Sequence, residues 1–132
     1  MDKTIKIVVA ILAVVVVACL AVLVSGTPSH ADSGIPATDT IYFFYGEECS
    51  HCHKIMPFII NMTEKYPEAD IQVLEVWHNQ SNSKLFQQAN AALGRSQYGV
   101  PEVIIGKTVL TGELEIPAKF EGLIQDYLKK KA

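Results

Sequence analysis

The sequence predicts an α/β domain of order β-α-β-α-β-β-α, a mixed four-stranded sheet with helices on both faces, preceded by one transmembrane helix. Three observations predict it. An unbroken apolar run lies near the N-terminus, short β-branched or aromatic runs alternate with segments of helical spacing, and two last short strands flank Gly106-Lys107. With 132 residues and a mild net charge of −3, the chain has room for one domain once its N-terminus is set aside. No basic stripe or interleaving of aromatic with basic residues points to nucleic acid.

The stretch "IVVAILAVVVVACLAVLV", residues 7–24, carries no charge, proline or glycine. As a helix rising about 1.5 Å per residue it is roughly 27 Å long, close to the hydrocarbon thickness of a bilayer. Lys3 and Lys6 precede it and no Lys or Arg follows before Lys54. The N-terminus is therefore expected in the cytoplasm, and the rest outside it, periplasmic or extracellular, on a single-pass anchor. Two other readings stand beside the anchor. Ser29-His30-Ala31 offers a small-residue cleavage site for a signal peptide, and "VVAC", ending at Cys19, resembles a lipoprotein box. The expected organisation is an anchor over 1–25, a flexible linker rich in Ser, Thr, Gly, Pro and Ala over 26–37, and a folded domain over 38–132.

Within that domain "TIYFFY" (40–45) reads as a strand covered on both faces. After Gly46, Ile55, Met56, Ile59, Met62 and Tyr66 recur at helical spacing until Pro67. "IQVLEVW" (71–77) is a second strand, parallel to the first because a helix joins them. "HNQSNS" reads as a polar turn, after which Leu85, Phe86, Ala89, Ala92 and Leu93 mark a second helical face that Gly94 ends. "EVII" and "TVLT" form a hairpin. Pro117 is expected to open the last helix, with Ile116, Phe120, Leu123, Ile124, Tyr127 and Leu128 inward and Lys129, Lys130 and Lys131 at the dipole's negative end.

Chemistry concentrates in "YFFYGEECSHCHKIMP". Where a strand turns into a helix, the unpaired N–H groups and the helix dipole favour an anion, so the Cys49 thiol is expected to titrate below a free cysteine. Cys52, one turn further in, lies close enough to bridge to it. Unequal roles follow: Cys49 as nucleophile, Cys52 as the resolving thiol. A metal clip is the competing reading, with His51 and His53 as added ligands for zinc or copper(I), although a structural zinc site draws a second ligand pair from a distant loop. A purely structural disulfide would close a two-residue loop and constrain the unfolded chain little. Trp77 is expected to pack at a strand end, with contact to a partner as the lesser alternative.

These residues resemble the thioredoxin-like oxidoreductases, glutaredoxins included, over about residues 38–131. The element order, the Cys-x-x-Cys junction and Pro57, five residues after the second cysteine, carry the resemblance. It implies a thioredoxin-like fold and an enzyme: a thiol–disulfide oxidoreductase that uses the redox-active pair Cys49–Cys52 and needs no cofactor or metal. It further implies a cis bond at Val100-Pro101 in "YGVPEVIIGKTVLTGE", with the Pro101 loop facing the sulfurs and Val100 and Glu102 along a substrate groove, Glu102 as a solvated carboxylate. His51, just before the second cysteine, is similar to the residue found there in bacterial periplasmic disulfide oxidases and eukaryotic disulfide isomerases, which implies tuning of the thiolate. Phe43 departs from the family, standing where thioredoxin has a buried aspartate, and Glu47 and Glu48 oppose a thiolate, so the direction of electron flow stays open. The partners implied are exported proteins with thiols or disulfides and a membrane redox protein that resets the pair.

Overall fold

The computed structural model describes residues 40–132, together with Lys3 and Ile7, both helical and exposed. The chain divides into two units, Met1–Asp32 and Ser33–Ala132, and the fold below is that of the second. Among the described residues no helix is long and apolar enough to cross a membrane. Apart from Lys3 and Ile7, the expected anchor over 1–25 lies outside those residues, as do the linker over 26–37 and Cys19.

β1 (Ile41–Tyr45) is followed by α1 (Ser50–Lys65), a short 3-10 turn (Pro67–Ala69), β2 (Ile71–Glu75), α2 (Gln80–Ala92), β3 (Glu102–Ile105), β4 (Thr108–Thr111) and α3 (Gly112–Lys131). The sheet order is β2-β1-β3-β4. β1 runs parallel to β2, with Phe43 opposite Val73, and antiparallel to β3, with Phe44 opposite Glu102. β3 and β4 form the expected hairpin. Gly106 sits in its turn at a φ of 59°, a left-handed value that a side chain resists.

β1 is buried on both faces because alternate residues serve two separate cores. Ile41 and Phe43 face α1 and α3, joining Ile55, Ile59, Met62, Phe120 and Ile124. Tyr42 and Phe44 face the other way, onto Phe86 and Ala89 of α2. The Phe44 and Phe86 rings meet at 4.7 Å between centroids. Each such buried side chain contributes about 1.5–3 kcal/mol of apolar transfer, so helices are held on both sides of the sheet. Ala92, expected inward, is exposed; the buried position near the end of α2 is Asn90.

Two helix starts differ from expectation. α2 begins at Gln80 because the Asn79 side chain accepts a hydrogen bond from the Asn82 N–H, which turns most of the expected polar turn into the first helical turn. α3 begins at Gly112, so Pro117 lies inside it instead of opening it. Glu115 accepts a bond from the Thr111 N–H, and Gly112, at a φ of 82°, makes the turn that lets the helix start early.

Candidate active site

Cys49 is the N-cap of α1 in extended conformation, and its Sγ accepts the backbone N–H of Cys52 at 3.1 Å. The sulfur thus occupies the place a capping oxygen usually takes, over N–H groups that no helical carbonyl satisfies. The turn that delivers it is closed by the Cys49 N–H donating to the Gly46 carbonyl, 3.1 Å. Cys49 and Cys52 are joined as a disulfide, with Cα atoms 5.2 Å apart. Cys52 has no exposed surface, whereas Cys49 keeps 6 %. Cys52 is thus the more enclosed of the two, and even Cys49 is more enclosed than an open thiol.

Val100-Pro101 is cis. Since Phe44 pairs with Glu102, Pro101 arrives beside the end of β1, from which the chain turns to Cys49. The Pro101 carbonyl accepts the Gly112 N–H at 3.0 Å, which ties its loop to the start of α3. A shallow groove is lined by His51, Val100, Pro101, Thr111, Glu113 and Leu114. Leu114 stands 83 % exposed at its edge, the most exposed large apolar side chain among the described residues. His51 Nδ1 lies 2.9 Å from Glu113 Oε2, and Lys54 Nζ lies 3.1 Å from the same oxygen. The hydrogen bond from His51, then that from Lys54, holds the Glu113 carboxyl below its ordinary range.

Glu102 is not part of this groove. Strand alternation turns it to the α2 face, where it has no exposed surface. Asn90 Nδ2 donates to its Oε1 at 2.7 Å and Arg95 Nη1 to its Oε2 at 3.0 Å. Burial raises its pKa, with the bonds from Asn90 and Arg95 opposing. The expected solvated carboxylate is instead a buried clamp that joins α2 and the segment after it to the strand behind Pro101. These two partners satisfy its carboxylate oxygens, which is why it can be buried at all.

On the other side of the cysteines two loops meet. Trp77 is 53 % exposed, and one face of its indole covers Gly46: a Cβ on Gly46 would fall 2.3 Å from Trp77 Cδ2. The ring does pack at a strand end, but half of it remains open to solvent. Glu75, last in β2, accepts the backbone N–H groups of Glu47 (3.3 Å), Trp77 (2.7 Å), His78 (2.9 Å) and Asn79 (3.0 Å). Burial works against its charge, but the bonds from His78, Trp77, Asn79 and Glu47 together lower its pKa. His78 Nε2 reaches Glu48 Oε1 at 2.6 Å. Neither Glu75 nor His78 was expected at the site; a lone acid at a strand end before a polar turn is the sole trace they leave in the sequence.

The groups of metal-ligand spacing bear on the competing reading. Among the described residues, Glu47, Glu48 and His78 come together in this way, all exposed, and neither cysteine belongs to the group. His51 is turned to Glu113, and His53 Nε2 meets the Glu47 carbonyl.

No family model and no curated protein matches the chain. Solved structures that it resembles include a buckwheat glutaredoxin–glutathione complex, at 19 % identity and a TM-score of 0.46 over 68 % of this chain and 76 % of that one. Glutaredoxin C1 from Populus tremula x tremuloides, in its holo form, gives 20 %, 0.48, 73 % and 85 % in the same order. A wheat glutaredoxin gives 16 %, 0.44, 69 % and 79 %.

Proposed function

We propose that the chain is a thiol–disulfide oxidoreductase of the thioredoxin-like kind, acting through Cys49 and Cys52. The observation that carries this reading is the Cys49 sulfur at the N-cap of α1, accepting the Cys52 N–H and bridged to the Cys52 sulfur. A thiolate in that position gains from the dipole and from a donor already aimed at it. The groove of Pro101, His51 and Leu114 offers room for a partner's chain.

In the reduced pair, the Cys49 thiolate attacks one sulfur of a partner disulfide. A Cys49–partner bond forms, the partner's S–S bond breaks, and its second sulfur leaves as a thiolate. Cys52, having given up its proton, attacks the Cys49 sulfur, forms the Cys49–Cys52 bond and expels the partner's first thiolate. Two electrons pass from the pair to the partner. The reverse sequence oxidises a partner dithiol, and the reduction potentials of the two couples set the direction.

The location proposed with this activity is outside the cytoplasm, on a single-pass anchor formed by the apolar run of residues 7–24 behind Lys3 and Lys6. The clients are then exported proteins with thiols or disulfides, and a membrane redox protein resets the pair. Cys52→Ser in the full chain is expected to accumulate mixed disulfides through Cys49, and Cys49→Ser to abolish them. A reversible two-electron couple in glutathione buffers, lost in either variant, is the matching equilibrium result. Tight stoichiometric zinc or copper(I) binding without such a couple would overturn the reading. A reporter fused after Ala132 that works only in the cytoplasm would overturn the location.

A further inference from the structure

Cys49 follows directly on Glu47 and Glu48, and a carboxylate beside a thiolate disfavours it. The fold sets an imidazole against them. His78 Nε2 lies 2.6 Å from Glu48 Oε1 and 4.0 Å from Glu47 Oε2. The carboxylates stand in the loop after β1 and the imidazole in the loop after β2, and Glu75 fastens both loops by accepting the N–H groups of Glu47 and His78. The indole of Trp77 over Gly46 adds a second fastening. The meeting of His78 with Glu48 is thus supported by backbone contacts on either side of it.

The carboxylates that face His78 are Glu48 and Glu47 from the first loop and Glu75 from the end of β2, while its neighbours Trp77 and Asn79 carry no charge. The hydrogen bond with Glu48 and its charge raise the His78 pKa, burial opposes, and Glu75 and Glu47 add to the rise. The basic side chains of the first turns of α1 are engaged elsewhere: His51 and Lys54 with Glu113, and His53 with the Glu47 carbonyl.

We propose that His78 is a positioning residue for the thiol chemistry, holding and neutralising Glu48 so that the charge preceding Cys49 does not oppose its thiolate. This rests on the reading of Cys49 as nucleophile, but the titration of Cys49 can be followed without any client. The sign is fixed by the pair. While His78 keeps its proton, the Glu48 charge is balanced and the thiolate is favoured. When pH rises past the raised His78 pKa, the balance is lost and the thiolate is penalised. Linkage makes the effect mutual, so a thiolate at Cys49 holds the proton on His78 more tightly.

The test uses the full reduced chain and the pH dependence of iodoacetamide alkylation at Cys49, read by peptide mass spectrometry so that Cys19 does not contribute. His78→Gln is expected to raise the Cys49 pKa by about half a unit to one unit, the size of one nearby charge at a protein surface. Glu48→Gln is expected to lower it. In the Glu48→Gln background, His78→Gln should then act less than half as strongly. NMR titration of His78 should give a higher pKa in the reduced than in the oxidised protein. The His78 side chain is 57 % exposed, so the variant is expected to fold, which far-UV circular dichroism checks. A wild-type Cys49 pKa that is depressed but indifferent to His78, or a His78→Gln shift of equal size with and without Glu48, overturns the inference alone. A wild-type Cys49 that titrates as a free cysteine overturns the proposed function with it.

Discussion

The indole of Trp77 lies so close over Gly46 that no side chain fits between them: a Cβ at Gly46 would meet Trp77 Cδ2 at 2.3 Å. This is an approach of ring to backbone, and it sits at the start of the loop that delivers Cys49. Trp77 is also the chain's one tryptophan, so its fluorescence reports this contact directly.

Gly46→Ala is therefore expected to displace the ring, shift the emission maximum toward the red and cost about 1–3 kcal/mol, as overpacking does. Urea unfolding monitored by circular dichroism gives the stability and the emission spectrum gives the displacement. Unchanged values for both would show that the ring is not held there.

Glu102 is expected to make stability fall with pH in one window. Its pKa is raised in the fold, so between the ordinary glutamate value of about 4.3 and the raised value the folded state binds more protons than the unfolded one. The stabilisation is present at low pH and is lost as pH climbs through the folded value. Glu102→Gln should lack that slope in urea unfolding measured across the window. Glu102→Ala, which strands Asn90 and Arg95, is expected to cost about 2–4 kcal/mol at neutral pH.

Glu113 runs in the opposite sense. Its carboxyl is held low by His51 and Lys54, so its contribution is present above the ordinary glutamate value and is lost as pH falls through the depressed folded value. The melting temperature of Glu113→Gln should lie slightly below that of wild type at neutral pH, and the gap should close on acidification. A gap that persists below the depressed value would mean that the charge is not what matters.

His51→Ser removes the imidazole from the groove wall. If that ring supports the Cys49 thiolate, the pair becomes more reducing, by roughly 30 mV for each 1.4 kcal/mol of support lost. Equilibration with glutathione buffers measures the shift. A potential unchanged within error would confine His51 to holding Glu113.

Much of this architecture was legible because apolar spacing reports burial. The four strands, the parallel pairing of β1 with β2 and the inward faces of α1 and α3 follow from Ile41–Tyr45, from Ile55, Ile59 and Met62, and from Ile116, Phe120 and Ile124. The junction that seats Cys49 was legible for the same reason, and the cis bond at Val100-Pro101 was anticipated by resemblance. The helix starts were not, because the first turns of α2 and α3 are polar or solvent-facing. Leu114, apolar yet 83 % exposed, has no inward face to report. Glu102 misleads because a carboxylate is ordinarily solvated, and its burial depends on Asn90 and Arg95, which reach it only once α2 is packed. His78 and Glu48 stand far apart in the chain, and no local pattern links them.

Glu75 gathers four amide hydrogens from two stretches of chain onto one carboxylate. Those amides sit near the molecular surface, where solvent exchange would ordinarily proceed at separate rates. Sharing an acceptor couples them, so deuterium uptake at Glu47 and at Trp77, His78 and Asn79 is expected to proceed as one concerted event. An aspartate at that position, a methylene shorter, would let the two stretches breathe independently.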